Sequence, residues 1–430
     1  MAVTSTFVQD ILDRQQPLSV TAAYDHSRSA ALSDTDVGPV GLEIEMHPVN
    51  LRAVAASVTW PQVQQMTGAL RRIGLRSAIT VEPGGQVELS SPPAPDIVTA
   101  VRGLVAETGR VRQALADRGF GVAYVGADPL RPSLRVNPRP RYRAMEQHFR
   151  ATGQASAGAV MMNSTAALQV NLDAGPEQHW GQRVALAHRI GPTMLAIAAN
   201  SQWLSGRPTG WKSARQRAWG TLDARACGPV LGCCEDAASA DAADPAGAWA
   251  RYAMHAPVSF IRCQGDGVQA VGTPVPFEEW ARGSVRLGNR APTAADLDTH
   301  LTTLFPPVRL RGYLELRYLD VTALCWWPAI AAVVTTLMDD PVAADAAAEA
   351  TEQTAALWTE AARDGLGNAQ LASSAARCLA VAARRAPTEF GPAIADLADL
   401  AESGRCPGDL LAERITQIGP AAVLQELTHA

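Results

Sequence analysis

The chain has 430 residues, of which 47% are hydrophobic and 18% charged, and its formal net charge is −5 at pH 7. Such a composition is typical of a globular protein with a substantial core, and the charge gives no reason to expect nucleic acid or an anionic membrane as a partner. The length allows one large domain or two ordinary ones.

Targeting signals and cysteine usage predict a cytoplasmic protein. Residues 1–16 lack a charged segment followed by an apolar run, so no secretory signal is predicted. The apolar run at 323–338 is short for a membrane span and contains Pro328, which favours a buried helix. The seven cysteines are odd in number and lack C-x-x-C spacing, as expected of reduced thiols, although the adjacent Cys233 and Cys234 leave a redox role open.

The first alternating segment, V-G-L-E-I-E-M-H-P, covers residues 40–48. Leu42 and Ile44 alternate with Glu43 and Glu45, which predicts a strand with two carboxylates on one face. Carboxylates this close repel each other unless a cation lies between them. The alternative is an exposed strand face with solvated glutamates.

The second segment, T-V-E-P-G-G-Q-V-E-L-S-S-P-P, covers residues 80–93. It turns at its proline and two glycines, and the alternation that follows puts Gln86, Glu88 and Ser90 on one face. We expect the turn glycines to let the backbone approach a phosphate or metal closely. The same turn should bring Glu82 and Glu88 into one cluster.

Helices and weaker strands are predicted around these segments from hydrophobic periodicity. The predicted helices cover residues 7–15, 61–74, 96–119, 180–204 and 296–305, and another begins within 141–149. The weaker strands are predicted at 121–125 and within 252–262. Residues 129–140 form a loop rich in proline and arginine.

The third alternating segment, A-A-L-Q-V-N-L-D, covers residues 166–173 and has Gln169 and Asn171 on its polar face. Amide side chains both donate and accept hydrogen bonds, so this face suits a polar ligand. An exposed sheet face is the alternative.

The string G-R-P-T-G-W-K-S-A-R-Q-R follows and contains Arg207, Lys212 and Arg215. Its spacing from glycine to lysine is too short for a phosphate-binding P-loop. The planar guanidinium groups of the two arginines suit a carboxylate or a phosphate, with a surface salt bridge as the alternative. Lys212 is the only lysine of the chain.

The fourth segment, V-R-L-R-G-Y-L-E-L-R-Y-L-D, covers residues 308–320 and is predicted as a single strand. Arg309, Arg311, Glu315 and Arg317 then share one face. They form either a ladder of ion pairs or half of a site that binds metal and phosphate together.

Paired in one antiparallel sheet, the four segments would pack on helices with one face and present carboxylates, amides and arginines on the other. Carboxylate oxygens suit Mg²⁺ or Mn²⁺, which bridge phosphate oxygens, and arginines neutralise the remaining charge. The residues alone therefore predict a Mg²⁺–nucleotide site on an α+β fold. We predict a catalytic domain at 1–327 and an alanine-rich helical region at 328–430 packed on it.

Several motifs resemble those of plant- and bacterial-type glutamate–cysteine ligases, in the same order. They are G-L-E-I-E, E-P-G-G-Q-V-E-L-S, N-S-T-A-A-L-Q-V-N-L-D, G-R-P-T-G-W-K-S-A-R-Q-R-A-W and Y-L-E-L-R-Y-L-D, which span residues 38–330. The lysine-poor composition and alanine-rich tail look most like the actinobacterial branch, whose product feeds ergothioneine synthesis. The resemblance implies a curved antiparallel half-funnel sheet like that of glutamine synthetase and the guanido kinases, holding ATP and magnesium.

The resemblance also implies roles for individual residues. The implied metal ligands are Glu43, Glu45, Glu82, Glu88 and Glu315. The implied nucleotide- or glutamate-binding residues are Gln169, Asn171, Arg309, Arg311 and Lys212. The implied catalytic arginines, which would hold substrate carboxylates or the transferring phosphate, are Arg207, Arg215 and Arg317.

The expected reaction joins L-glutamate to L-cysteine through a γ-glutamyl phosphate. Three alternatives stay open: another amine acceptor, metal-dependent hydrolysis without ATP, and a nucleotide-sensing regulator without turnover. We expect Glu88→Gln and Glu315→Gln each to nearly abolish ATP turnover while leaving the fold intact. Arg207→Ala should raise the KM for glutamate.

Overall fold

A seven-stranded antiparallel sheet organises the protein in this computed structural model, which describes residues 16–231, 241–263, 265 and 267–428. Seven strands form this sheet: β1 (Val40–Asn50), β2 (Ala78–Val81), β3 (Val87–Ser90), β4 (Phe120–Ala123), β5 (Ala167–Asp173), β10 (Val308–Leu310) and β11 (Tyr313–Asp320). Four further strands of the described residues lie outside it: β6 (Trp203–Leu204), β7 (Arg207–Pro208), β8 (Phe260–Arg262) and β9 (Val268–Ala270). The predicted helix at 7–15 and the Cys233–Cys234 pair lie outside the described residues.

The main sheet has the strand order β10-β11-β5-β1-β3-β2, and β4 pairs with the far end of β1. Two small hairpins, β6–β7 and β8–β9, lie apart from it. The predicted α+β class with an antiparallel sheet is confirmed. All four alternating segments contribute to this one sheet.

Helices surround the sheet. They are Val20–Ser29, Trp60–Leu70, Ile97–Ala116, Pro140–Ala151, Ala155–Ser164, Trp180–Arg189, Gly191–Ala198, Ala214–Thr221, Ala224–Cys227, Pro245–His255, Phe277–Arg282, Ala294–Leu301, Trp327–Asp339, Pro341–Ala350, Trp358–Asp364, Ala369–Arg385, Gly391–Glu402, Pro407–Ile418 and Pro420–Leu427. In the described part of the chain, no helix has the length and apolarity needed to cross a membrane.

Two predicted elements differ from the structure. The helix predicted at 180–204 is two helices that meet at Ile190, since Pro192 follows immediately and has no backbone N–H to continue the ladder. The strand predicted within 252–262 is β8, which covers only Phe260–Arg262, because the first residues of the segment complete helix Pro245–His255.

The apolar face of the sheet lies in the main core. Leu42 and Ile44 of β1 and Leu168 and Val170 of β5 are fully buried, as the alternation predicts. The buried hydrophobic residues of helix Trp327–Asp339 and of the four helices Pro341–Ala350, Trp358–Asp364, Ala369–Arg385 and Gly391–Glu402 belong to the same hydrophobic cluster. The boundary proposed at residue 327 thus crosses a continuous core, and the division into two regions stays a prediction.

Residues 308–320 form a hairpin rather than the single strand predicted. Gly312 has a φ of 80°, which a glycine adopts without strain, and the chain reverses there between β10 and β11. Arg309 therefore lies directly opposite Glu315. On one continuous strand, these residues would lie about 20 Å apart.

Candidate active site

The register of the sheet brings together side chains from segments far apart in sequence. Glu43 pairs with Gln169, Glu45 with Glu88, and Asn171 with Glu315. Following the strand order, the polar face runs from arginines on β10 and β11, through amides on β5, to carboxylates on β1 and β3. Opposite charges thus occupy opposite ends of one surface.

A cavity of about 590 Å³ covers this face. Its lining includes most of the predicted site residues: Glu43, Glu45, Glu82, Glu88, Gln169, Arg215, Arg309, Arg311 and Arg317. Asn171, Arg207, Lys212 and Glu315 do not line it. The convergence of nine residues on one cavity supports a common site.

Hydrogen bonds from β5 orient the two carboxylates of β1. Asn171 Nδ2 donates to Glu43 over 2.9 Å, so Asn171 positions a carboxylate at the edge of the cavity. Glu45 accepts from the backbone N–H of Ala167 at 2.8 Å and from Gln169 Nε2 at 3.4 Å. The amides of β5 therefore fix the carboxylates instead of pointing freely at a ligand.

The carboxylate cluster carries more negative charge than its surroundings neutralise. Burial, reinforced by Glu88 and Glu315, raises the pKa of Glu43 to about 7. Burial is also the main cause that raises the pKa of Glu45, Glu82 and Glu88, and the carboxylates repel one another. A divalent cation would relieve both effects.

The donor set was compared with what magnesium requires. Magnesium takes oxygen ligands, keeps several waters, and is usually bound by one or two carboxylates together with substrate phosphates. Glu43, Glu45, Glu82 and Glu88 offer such oxygens around the cavity. Within the described residues, no group of three or more His, Cys, Asp or Glu side chains is placed to hold a metal ion by itself. The residues therefore fit a cation that substrate phosphates help to hold.

Glu315 differs from these four carboxylates because arginines already occupy both of its oxygens. Its side chain has no solvent exposure, and it accepts from Arg309 Nε and, at 2.9 Å, from Arg309 Nη2. Arg317 lies 3.1 Å away and Arg311 lies 3.6 Å away. Although burial alone would raise it, these arginines hold the pKa of Glu315 at about 2. The geometry favours a counter-ion for arginines over the predicted metal ligand.

Two buried arginines form the back of the cavity. Arg317 Nη1 donates to Gln169 Oε1 over 2.7 Å, and its pKa is raised by Glu315, Glu43 and Glu45 despite burial, which lowers it. Arg215 is only 2% exposed and donates from Nη2 to the carbonyl of Arg317 over 2.7 Å. Both guanidinium groups are held rigidly beside the carboxylates.

Arg207 and Lys212 lie away from this cavity. Arg207 is exposed on the β6–β7 hairpin. Lys212 Nζ donates to Asp409 on helix Pro407–Ile418, and this contact joins the segment to the C-terminal helices. Neither side chain is placed to reach a ligand on the sheet in this arrangement.

The turn glycines allow a close packing contact within the protein, and their predicted approach to a phosphate or metal stays a prediction. A Cβ on Gly84 would lie 2.1 Å from the carbonyl oxygen of Asn163, so this position must be glycine for helix Ala155–Ser164 to approach the turn. Gly85 has a φ of 93°. The turn is therefore shaped by contacts within the protein.

Sequence reasoning missed several cavity residues. Arg139, from the proline- and arginine-rich loop, and Arg141, from the first turn of helix Pro140–Ala151, both line the cavity. Trp219 and Phe305 also line it, and no periodic pattern marks them. Asp320, which ends the motif Y-L-E-L-R-Y-L-D, is buried behind the cavity and organises the loops around Arg215.

Asp320 is the centre of a buried polar network. It accepts from the backbone N–H of Asn200 at 2.9 Å and from the hydroxyls of Ser201 at 2.6 Å and Ser213 at 3.0 Å. Its Oδ1 lies 3.9 Å from Arg215 Nη1. The network fixes both segments that hold Arg215.

Residues 39–427 match the model of the glutamate–cysteine ligase family 2. The chain belongs to this family. It is 48% identical over 409 residues to the glutamate–cysteine ligase EgtA of Mycolicibacterium smegmatis, covering 95% of each protein. It is 46% identical over 410 residues to EgtA of Mycobacterium tuberculosis, covering 95% of this chain and 93% of that protein.

The fold of this family member resembles solved structures of low sequence identity. A glutamate–cysteine ligase from Francisella tularensis, solved with AMP, gives a TM-score of 0.57 at 13% identity, covering 92% of this chain and 88% of that one. A bifunctional glutathione synthetase from Pasteurella multocida gives 0.56 at 16% identity, covering 91% of this chain and 52% of that one. These likenesses concern the fold.

Proposed function

We propose that this protein joins the γ-carboxylate of L-glutamate to the amine of L-cysteine, coupled to cleavage of ATP to ADP and phosphate. The observation that carries the proposal is the cavity in which buried arginines face a cluster of buried carboxylates, in a chain 48% identical to a glutamate–cysteine ligase. The similarity to mycobacterial EgtA supports ergothioneine biosynthesis as the destination of the product. We place the reaction in the cytoplasm.

The reaction proceeds in two steps. An oxygen of the γ-carboxylate attacks the γ-phosphorus of ATP, the bond to ADP breaks, and a γ-glutamyl phosphate forms. The cysteine nitrogen then attacks the acyl carbon, phosphate leaves, and the nitrogen loses a proton. Phosphoryl transfer depends mainly on positioning and charge neutralisation, so the protein needs no covalent nucleophile.

The charge distribution of the cavity assigns the parts of this reaction. Glu43, Glu45, Glu82 and Glu88 would hold Mg²⁺, or Mn²⁺ in its place, which neutralises phosphate charge when bound. Arg317 and Arg215 supply fixed positive charge beside them for the anionic groups of glutamate and phosphate. Because both arginines are already hydrogen-bonded, they need little reorganisation during the reaction.

The remaining polar residues have supporting roles. Gln169 accepts a hydrogen bond from Arg317 and donates one to Glu45, so its amide fixes the positions of the two charged groups relative to each other. Arg309 is engaged by Glu315, whereas Arg311, whose side chain is 52% exposed, lies at the edge of the cavity, where it can meet an entering anion. Asn171 orients Glu43.

The experiment measures phosphate release from ATP with purified protein and Mg²⁺, with glutamate and cysteine each omitted in turn. The ligase should release phosphate fully only when both amino acids are present, together with equimolar γ-glutamylcysteine. Replacing Mg²⁺ by EDTA should abolish release. Phosphate release that ignores both amino acids would refute the ligase and favour a hydrolase.

A further inference from the structure

One wall of the cavity is apolar and rich in sulfur and aromatic rings. It is formed by Met145, Met161, Met162, Trp219 and Phe305. The first four come from three neighbouring helices, Pro140–Ala151, Ala155–Ser164 and Ala214–Thr221. The proposed binding of metal, phosphate and glutamate makes no use of this wall.

An aromatic pair brings this wall to the reacting end of the cavity. The rings of Trp219 and Phe305 meet edge to face with their centroids 5.5 Å apart. The guanidinium of Arg317 lies 5.9 Å from the Trp219 ring and 6.0 Å from the Phe305 ring. The apolar wall therefore begins directly beside Arg317, which pairs with Glu315 and donates to Gln169.

The wall offers a ligand almost no hydrogen bonds. Methionine and phenylalanine side chains carry no N–H or O–H donor, and thioether sulfur is a weak acceptor. The only donor of the pair, Trp219 Nε1, is buried and has no partner among the described residues, so it does not serve the cavity. A group on this wall must be apolar and polarizable.

Two substrate groups could occupy such a surface, the thiol of cysteine and the adenine of ATP. The thiol is separated from the attacking nitrogen by two carbon atoms, so it must lie beside the reacting centre. Adenine lies at the far end of ATP from the γ-phosphate, separated from it by the ribose and two further phosphates. Because Trp219 and Phe305 contact Arg317, the position of this wall suits the thiol.

We propose that Met161, Met162, Trp219 and Phe305 form the subsite that receives the acceptor side chain and selects a thiol over a hydroxyl. The inference rests on the proposed ligase function. Thioether and aromatic groups make favourable contacts with sulfur, whereas a hydroxyl on this wall would lose its hydrogen bonds to water. A pocket of this kind discriminates against an added or exchanged hydroxyl by about 10- to 100-fold.

The test compares kcat/KM for cysteine, serine and 2-aminobutyrate, which replaces the thiol by a methyl group. The native enzyme should use 2-aminobutyrate within about tenfold of cysteine and should use serine about 10- to 100-fold less well. Met161→Gln and Phe305→Tyr each place a polar group on the wall. Each should reduce the preference for cysteine over serine by about fivefold or more.

A matched control variant, and the use of a ratio of kcat/KM values, distinguish a change in acceptor selectivity from a general loss of activity. Val160→Thr makes a polar change on the same helix at a residue outside the cavity lining, and it should leave the preference unchanged. A variant that merely disturbs Arg317 lowers kcat/KM for all acceptors alike, so the ratio of kcat/KM for cysteine to that for serine stays constant. Phe305→Tyr retains the ring and keeps the test open should Met161→Gln not fold.

Three results would overturn the inference. An unchanged cysteine-to-serine ratio in both variants would show that the wall does not contact the acceptor side chain. A raised KM for ATP with an unchanged ratio would assign the wall to adenine. A native protein that ligates no amine at all would refute the ligase function, and the subsite with it, whereas ligation with unaltered selectivity refutes the subsite alone.

Discussion

Glu315→Gln removes the one negative charge at the centre of three arginines. The substitution keeps the size and shape of the side chain but leaves Arg309, Arg311 and Arg317 facing a neutral amide. Arg309 is only 9% exposed and Glu315 has no exposure, so solvent cannot replace the lost charge. We therefore expect destabilisation, contrary to the intact fold expected from the sequence.

Two physical arguments give a similar magnitude. Removing one partner of a buried ion pair costs roughly 3–5 kcal/mol, because the other charge is left buried and unpaired. The fall in the pKa of Glu315 from an ordinary 4.5 to about 2 corresponds to roughly 3 kcal/mol of stabilisation of the ionised form. The free energy of unfolding should therefore fall by about 3–5 kcal/mol at neutral pH.

Urea unfolding of the native protein and the variant measures this difference. Because the folded-state pKa is depressed, the contribution is present above the unfolded-state pKa of roughly 4 and is lost as the pH falls towards 2. Arg311→Gln is the matched control, since its side chain is 52% exposed and it should cost no more than about 1 kcal/mol. A Glu315→Gln variant as stable as the native protein, with only its Mg²⁺ requirement raised, would refute this reasoning and restore the metal-ligand assignment.

Two further predictions concern residues around the cavity. Arg207→Ala and Lys212→Met should leave the KM for glutamate and for ATP unchanged, because neither residue lines the cavity, and a raised KM in either variant would contradict this placement. Lys212→Met should in addition lower the midpoint of thermal unfolding, because it removes the contact of Lys212 with Asp409 on helix Pro407–Ile418. Asp320→Asn should lower kcat by about tenfold or more, because a charged hydrogen-bonding centre behind Arg215 is worth roughly 1.5–3 kcal/mol. Ser213→Ala, which removes one neutral donor from the same network, should have a smaller effect, and equal losses would argue against positioning by charge.

The alternation of polar and apolar side chains predicted the strands of the sheet well, because it reflects the local geometry of an extended backbone. The polar faces of β1, β3 and β5 follow directly from a period of two. The hairpin at Gly312 was not predicted, because R-L-R-G-Y continues the alternation without interruption and a single glycine was the only turn signal. The pairing of Arg309 with Glu315 depends on that reversal.

The site was predicted less completely, since it depends on contacts between distant segments. The excess of negative charge at Glu43, Glu45 and Glu88 was visible in the sequence, because two separate strands, β1 and β3, carried carboxylates without an evident partner. The saturation of Glu315 by arginines was not visible, because it arises from the register of the hairpin. Arg207 lies in a motif shared with relatives, yet its exposure depends on how β6 and β7 fold away from the sheet.

The strand order has a consequence for how the protein is made. β5 pairs with β1 on one side and with β11 on the other, but β11 is the last of these strands to be synthesised, after roughly 140 further residues that take about 7–30 s to translate. During that interval the nascent chain carries β5 as an open edge, which can pair with another chain. Any truncated chain that ends before Tyr313 keeps β5 as an unpaired edge strand and lacks both Glu315 and Arg317. Translation of β11 thus adds Glu315 and Arg317 to the site and pairs the open edge of β5 in a single event.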